Sequence, residues 1–418
     1  MAALKRFHQL KETDVALQLA TVTTFLERLG NPQNDFPAVH IGGTNGKGSV
    51  AALTAAMLRE GGWTVGLYTS PHLVEERERV RVDGRIIGRR AFSDCVRILE
   101  RRMPEGTTYF EFMTAAAFFY FSMKKVDIAV IEVGLGGRLD ATNVLRPEVT
   151  VITSVAREHE RFLGGNLVKI AREKAGILKW GGDLVTGVSQ DGIAACLERI
   201  CLERHGRLYR LGRAFRVRST APGTFTYRGL NTTLRDLSLS LRGSHQRRNA
   251  ALALCVMEIL GTKGFAVPGE GLRRGLRNAS WPGRLEILRR HPTVVVDGAH
   301  NPAALTALIV ALREEFSYRR LGFVFGVLKD KDYTIMMKDI RSVADWVILT
   351  GPRNERALSP DILLPMARRG GFPARVVADP REACREAVKE AGPEDLVCVA
   401  GSLYLAGDAY AAFPRETE

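Results

Sequence analysis

The stretch best equipped for chemistry is His40-Ile-Gly-Gly-Thr-Asn-Gly-Lys-Gly-Ser49. It follows a short apolar run, Ala38–Gly42, and leads into helix-forming residues. Glycines let backbone N–H groups converge on phosphate oxygens, and a helix N-terminus adds partial positive charge. Lys47 can then reach the terminal phosphates of a nucleotide. The strict phosphate-loop spacing is not met, because three residues separate Gly42 from Gly46 and Gly48 stands between Lys47 and Ser49. Flanking strand and helix signals still favour a phosphate cradle over an incidental glycine turn. Phosphoryl transfer needs positioning and charge neutralisation more than covalent help. The partners to look for are oxygen or imidazole metal ligands and an arginine. Glu132 closes the apolar run Val126–Val133, where an acid can meet Mg²⁺. Asp297 and His300 follow a second such run, Thr293–Asp297, at the kind of strand edge where α/β sites form.

The elements that must position these residues alternate. A strand at Ala38–Gly42 precedes a helix from Lys47 to Arg59, closed by Gly61 and Gly62. Val126–Val133 and Val149–Val155 are rich in β-branched residues and read as buried strands. That rhythm predicts a parallel sheet with helices on both faces. From Gly206 to Leu241 short alternating segments between glycines predict an antiparallel flap. His245–Leu260 returns to helix. Trp281-Pro282-Gly283 interrupts both kinds of regular structure and reads as a joint. Beyond it come further strand signals at 322–327, 344–350 and 395–400, with a helix at Ala303–Glu315. The expected fold is α/β: an N-terminal phosphate-loop ATPase domain over residues 1–280, with a mainly parallel sheet and a small antiparallel flap, and a smaller Rossmann-like domain over 285–418. A substrate cleft is expected between them.

Composition narrows the function classes. The 418 residues are 45% hydrophobic and 25% charged, which excludes disorder and low-complexity fibre. The longest nearly apolar stretch, Met113 to Phe121, is far short of a membrane span, and the first residues carry no secretory signal. The six cysteines form no close pair, so buried reduced thiols are expected. A cytoplasmic monomer with no membrane or nucleic-acid partner is the expected setting. The net charge is +14, and much of the excess lies between Arg199 and Arg248, where twelve arginines meet only Glu203 and Asp236. Three readings stand for that segment: a solvated sheet face, a field that steers anionic substrates, and a nucleic-acid surface. The aromatics Tyr209, Phe215, Phe225 and Tyr227 fall at strand-like core positions, which favours the first.

The glycine after the lysine is informative. The loop resembles that of the Mur ligase superfamily, whose members couple ATP cleavage to amide-bond formation, and within it the folylpolyglutamate synthase and dihydrofolate synthase branch. The resemblance continues through Thr69-Ser-Pro-His-Leu73 with Glu78 and Arg79, Phe110-Glu111, and Glu132-Val-Gly-Leu-Gly-Gly-Arg-Leu-Asp-Ala-Thr-Asn143. It extends to Ile170-Ala-Arg-Glu-Lys-Ala-Gly-Ile177, Gly243-Ser-His-Gln246 with Asn249, Trp281-Pro-Gly-Arg284, Asp297-Gly-Ala-His-Asn-Pro302 and Gly401-Ser-Leu-Tyr404. Eight motifs in register span almost the whole chain.

What this implies is an ATP- and Mg²⁺-dependent ligase that adds L-glutamate to a folate or dihydropteroate carboxylate through an acyl phosphate. By resemblance Asn45, Gly46, Lys47, Gly48, Ser49, Asn249, Arg284 and Asp297 contact ATP. Arg284 sits on the joint, where a guanidinium reaches the triphosphate only on domain closure. Ser70, Glu132 and His159 are implied magnesium ligands, His159 following Glu158 where the family has an aspartate. Lys174 reads from composition as a surface lysine, whereas the family match implies a carbamate that ligates a second magnesium. Lys47, Lys174 and His300 are the implied catalytic residues. Phe110, Glu111, Leu139, Asp140 and Ala141 match pterin-side positions, where an aromatic stacks on the ring and a carboxylate pairs with its amino groups. Arg79, His300 and Ser402 match glutamate-handling positions. The family's Gly-Leu-x-Arg element upstream of Leu29-Gly-Asn-Pro32 is replaced here by Gln18-Leu-Ala-Thr21. Two alternatives remain: a peptidoglycan-precursor ligase, which prefers Thr-Thr or Thr-Ser after the lysine, and a nucleotide-dependent nucleic-acid-binding protein using the arginine-rich segment.

Overall fold

The computed structural model describes residues 7–12, 14, 16–157, 164–221 and 223–413, so the expectations for Glu158 and His159 lie outside the described residues. The chain divides into two units, one of residues 1–240 and 246–280, the other of residues 241–245 and 281–418.

The first unit is built on eight strands: β1 (Ala38–Gly42), β2 (Val65–Tyr68), β3 (Val80–Val82), β4 (Arg85–Ile86), β5 (Ile128–Glu132), β6 (Val149–Ile152), β7 (Asp183–Thr186) and β8 (Arg207–Arg210). Their order is β4-β3-β2-β5-β1-β6-β7-β8. All neighbours run parallel except β2–β3 and β3–β4. Strands β1, β5 and β6 are buried at every position, which is why they read as continuous apolar runs rather than alternating ones. One core cluster gathers Phe25, Phe112, Phe118 and Phe121 from the helices Ala20–Arg28 and Tyr109–Lys124 with the strand residues Ala38, Ala129 and Ile131. A second gathers Ile152, Ile170, Leu178, Leu184 and Leu197 with the helices Leu167–Ala175 and Asp191–Glu203. The helix after the phosphate loop, Lys47–Glu60, is buried along most of its length. Helix Gly269–Asn278 approaches it so closely that a Cβ on Gly275 would meet the Met57 backbone at 2.6 Å.

The predicted flap is smaller than its sequence pattern suggests. Residues 207–210 alternate like a flap strand, but β8 joins the large sheet beside β7, with Arg207 donating two hydrogen bonds to buried Asp183 at 2.7 and 3.0 Å. The flap itself is β9 (Arg216–Ala221), β10 (Thr224–Arg228) and β11 (Thr233–Ser238), all antiparallel. Its inner face buries Phe225, Tyr227, Leu234 and Leu237. Glu258, from helix Ser244–Gly261, gathers the hairpin turn: its carboxylate accepts from Tyr227 Oη and from the N–H groups of Leu230, Asn231 and Thr232.

The arginine-rich segment splits in two. Arg204, Arg210, Arg247 and Arg248 donate to nearby carbonyl or hydroxyl oxygens. Arg216, Arg218, Arg228 and Arg235 stand exposed on the outer side of the flap, with Arg216 directly across from Arg228.

The second unit holds β12 (Glu286–Arg290), β13 (Thr293–Val296), β14 (Leu321–Phe325), β15 (Trp346–Leu349), β16 (Ala374–Val376) and β17 (Leu396–Ala400), in the order β12-β13-β17-β14-β15-β16. Only the edge strand β12 is antiparallel. Helices Pro302–Glu315, Tyr333–Arg341, Pro360–Ala367, Pro380–Glu390 and Leu403–Ala412 complete the α/β layers. The six cysteines are free and buried, as their spacing predicted. No helix among the described residues is long and apolar enough to cross a membrane.

Candidate functional site

The loop between β1 and its helix is stitched to the segment that leaves β6. Thr44 N–H donates to Ser154 O at 2.8 Å, Asn45 N–H to Ser154 Oγ at 3.0 Å, and Ala156 N–H to Thr44 Oγ1 at 3.1 Å. Thr153 Oγ1 returns a bond to Asn45 O at 2.7 Å. Two glycines make this possible. Gly43 has φ +134°, and a Cβ there would lie 2.0 Å from Thr153 Oγ1; Gly46 has φ +90°, with the Asn249 amide 2.6 Å from its would-be Cβ. Asn249 is thus set against the loop, its own Nδ2 donating to Gln246 Oε1 at 2.9 Å. The first helical hydrogen bond runs from Val50 N–H to Gly46 O. The N–H groups of Lys47, Gly48 and Ser49 therefore crown the helix N-terminus, where an anion is favoured. Ser49 Oγ is buried without a protein partner, an orphan that a phosphate or its counterion fits.

Two amines converge on one carbonyl oxygen of this loop. Lys47 Nζ folds back to donate to Gly43 O and Thr44 O, both at 3.1 Å. Lys174 Nζ donates to the same Gly43 O at 2.9 Å. Lys174 is not the surface lysine its composition suggested: it is 1% exposed, in the last turn of helix Leu167–Ala175. The helix turns Ile170, Ala171, Lys174 and Ala175 inward, and Gly137 lets the neighbouring loop ride over its backbone, with a would-be Cβ 2.7 Å from Lys174 O.

Glu132 ends β5 opposite Ile41 of β1, which places it beside the start of the phosphate loop. Its Oε2 accepts from Ser70 N–H at 3.2 Å, so these two expected ligands are brought together. Arg79 lies in the same unit, 4% exposed, donating to Glu12 Oε1 and, at 3.0 Å, to His72 Nδ1, with its guanidinium 5.1 Å from the Tyr109 ring centre. Glu12 has no motif in the sequence, and His72 stands within the Thr69–Leu73 motif without a role of its own there.

The residues matched to the pterin side gather around the loop Gly134–Asn143. Phe110 lies over Gly134, where a Cβ would come within 2.4 Å of its ring. Glu111 is largely spent on its helix: Oε2 accepts from Thr108 N–H at 2.8 Å and Thr108 Oγ1 at 2.9 Å in a capping box, while Oε1 is buried without a protein partner. Asp140, buried beside Ala141, accepts from Leu135 N–H at 2.8 Å, Thr142 N–H at 3.0 Å and Thr142 Oγ1. Burial raises its carboxyl above the usual carboxylate range, and these bonds oppose that rise. Leu139 lines a cavity of about 240 Å³ with Leu17, Leu135, Lys169 and Arg172. Nearby, Lys179 Nζ donates to Asn143 O and Oδ1, both at 2.8 Å, and burial with the charges of Arg204 and Arg146 lowers it to about 8. His40, Thr142 and Lys179 escape sequence reading because only the parallel sheet order brings them together.

In the second unit the expected residues meet at the C-terminal edges of β13 and β17. Asp297 accepts from Leu285 N–H at 2.9 Å and Ala299 N–H at 2.8 Å. Arg284 Nη1 lies 2.4 Å from the position a Cβ on Gly298 would occupy. His300 Nδ1 is 2.8 Å from Gly298 O, so that nitrogen carries the proton and donates. Gly401 N–H donates to Ala299 O at 2.9 Å, joining the turn before Ser402, the N-cap of helix Leu403–Ala412, to the segment that carries His300.

Residues 41–257 match the Mur ligase middle domain and residues 283–403 the Mur ligase glutamate ligase domain. The Bacillus subtilis dihydrofolate synthase/folylpolyglutamate synthase is 35% identical over 411 residues, covering 93% of each chain. Mycobacterium tuberculosis folylpolyglutamate synthase complexed with ADP superposes with a TM-score of 0.91 at 32% identity, over 99% of this chain and 98% of that one. Escherichia coli FolC in complex with DHPP and ADP gives 0.89 at 31% identity, over 98% and 96%. With both domain models matched in chain order and relatives aligned nearly end to end, the chain belongs to the folylpolyglutamate synthase/dihydrofolate synthase family of Mur-type ligases.

Proposed function

We propose that this chain is an ATP-dependent ligase that joins L-glutamate to the carboxylate of a folate-type acceptor, either dihydropteroate, a reduced folate, or both. The observation that carries the reading is the phosphate loop: two positive-φ glycines, crowning N–H groups, an orphaned Ser49 hydroxyl and two lysine amines focused on Gly43 O. An acceptor carboxylate oxygen attacks the γ-phosphorus of ATP, giving an acyl phosphate and ADP. The glutamate amine then attacks the acyl carbon, phosphate leaves with the bonding pair, and the amine loses a proton. Lys47 leaves its two loop carbonyls for the phosphates, and the amides of Lys47–Ser49 hold the transferred group.

The residues beside the loop fit a hard divalent cation. Ser70 and Glu132 offer oxygen donors at adjacent strand ends, and Lys174, once its neutral amine adds CO₂ and sheds a proton, offers an anionic carbamate. When bound, Mg²⁺ neutralises charge on the phosphoryl oxygens. In the second unit Asp297 and Arg284 serve nucleotide binding, and His300 with Ser402 orients the incoming glutamate. Arg79 is assigned to glutamate as well, in exchange for its present partner Glu12. Phe110, Glu111, Leu139, Asp140 and Ala141 form the acceptor side. We place the enzyme in the cytoplasm as a monomer acting on small molecules, with no nucleic-acid or membrane partner.

The test is ADP release measured with dihydropteroate or tetrahydrofolate, each with and without glutamate. Release that needs both acceptor and glutamate supports the reading. Release stimulated by RNA or DNA instead, or by neither acceptor, defeats it.

A further inference from the structure

Strand β1 is apolar and fully buried except for one polar side chain, His40 at its centre, flanked in register by Ile131 of β5 and Thr150 of β6. Burial, together with the charge of Lys179, keeps the imidazole neutral by lowering it to about 3. Its Nε2 lies 2.8 Å from Thr142 Oγ1, and that hydroxyl donates in turn to Asp140 Oδ1. A hydroxyl has one proton to give, and here the carboxylate takes it. Nε2 must therefore carry the ring proton and donate to Thr142. Nδ1 is then an acceptor, and it is buried with no partner. Folding rarely leaves a buried polar atom unmatched, and a leucine at this position would avoid the loss altogether.

What the imidazole secures lies at its other end. Two residues after His40 the chain enters the phosphate loop at Gly42. Asp140 closes the loop Gly134–Asn143, whose residues Leu135 and Leu139 line the cavity together with Lys169, Arg172 and the Arg138–Glu173 ion pair, a net basic lining suited to an anionic acceptor. We propose that His40 is a positioning residue that ties the acceptor loop to the phosphate-loop strand, acting through Thr142 on Asp140 and thereby setting acceptor affinity without touching the acceptor. This rests on the reading that the Gly134–Asn143 loop receives the folate-type substrate. Without the imidazole donor, the Thr142 hydroxyl is free to turn from Asp140, and the loop loses its tie to β1.

The experiment compares His40→Leu, which fills the volume but cannot donate, with His40→Gln, whose Nε2–H can reach the same hydroxyl. Steady-state ADP release is measured with ATP varied and then with acceptor varied. For His40→Leu we expect the acceptor KM to rise about tenfold, the worth of one lost buried hydrogen bond, with the ATP KM changed less than about twofold. His40→Gln should recover most of the acceptor KM. Equal shifts in both KM values, no shift in either, or a Gln variant as impaired as the Leu variant overturns the proposal. Should His40→Leu fail to fold, Thr142→Val, which removes only the relaying hydroxyl, must give the same split. Ring ¹⁵N shifts of the wild-type histidines give a second readout: a neutral Nε2–H tautomer at His40 agrees, and an Nδ1–H tautomer overturns it. A wild type that turns over no folate-type acceptor overturns the functional reading along with this one, whereas an active wild type with merged KM shifts overturns this proposal alone.

Discussion

Replacing Lys174 by Met removes an amine while keeping an unbranched apolar stem of similar reach. In the wild type Lys47 and Lys174 donate to one oxygen at 3.1 and 2.9 Å, so their nitrogens are no more than about 6 Å apart. Two unit charges at that separation repel by about 3 kcal/mol at an effective dielectric of about 20. The bond to Gly43 O that the amine also makes is worth about 1 kcal/mol, less than this pair interaction. A carbamate on Lys174 reverses the sign of that interaction, and each kcal/mol gained raises the midpoint by about 2–4 °C in a unit of this size. Carbamate formation adds CO₂ to the amine nitrogen and releases a proton. Added bicarbonate should then raise the wild-type midpoint, because a carbamate turns repulsion from Lys47 into attraction, and should leave the variant unmoved. Thermal scans with and without bicarbonate at one pH, paired with ADP release, read both effects, and the variant should be inactive in either buffer. A wild type indifferent to bicarbonate, or a variant midpoint that bicarbonate raises as much as the wild type's, refutes the argument.

Gly43→Ala should lower stability by about 1–3 kcal/mol and weaken ADP binding, because a Cβ would lie 2.0 Å from Thr153 Oγ1 at a φ of +134°; an unchanged ADP affinity by calorimetry counts against the loop assignment. Glu132→Gln keeps an oxygen to accept from Ser70 N–H but loses its charge, so the Mg²⁺ concentration for half-maximal activity should rise about tenfold or more. Coincident Mg²⁺ titrations of wild type and variant would remove Glu132 from the metal site. Reversing Arg216 and Arg218 together to Glu should change acceptor and ATP KM values less than about twofold, as for a solvated face. A larger rise that vanishes at high salt identifies steering instead.

Much of the large sheet was legible because its strands are buried on both faces and read as β-branched runs. The flap boundary was not. Arg207–Arg210 alternates as a flap strand would, and only its pairing with β7 and the Asp183 ion pair assigns it to the parallel sheet. The phosphate loop was legible in its glycines and lysine, and Asn249 in the family motif around it, while the anchors Thr153 and Ser154 lie about a hundred residues away with no local signature. Lys174 was misread from composition for a related reason. Helix Leu167–Ala175 carries lysine and arginine on several sides, and only the packed structure decides which of them turns inward. Asp140 and Glu111 illustrate the opposite difficulty. Their types suit substrate recognition, yet the structure engages much of each carboxylate in local hydrogen bonds, as a loop closure and a helix cap.

The stitching of Thr44 and Asn45 to residues 153–156 has a kinetic and entropic consequence. Ordering a backbone residue costs about 1–2 kcal/mol, and for this loop that loss is incurred on folding rather than on nucleotide capture. Nucleotide thus meets donors already aimed, so its association should be a single fast phase limited by encounter, without a slow step of loop ordering. Any slower rearrangement seen on nucleotide addition must then arise elsewhere in the chain.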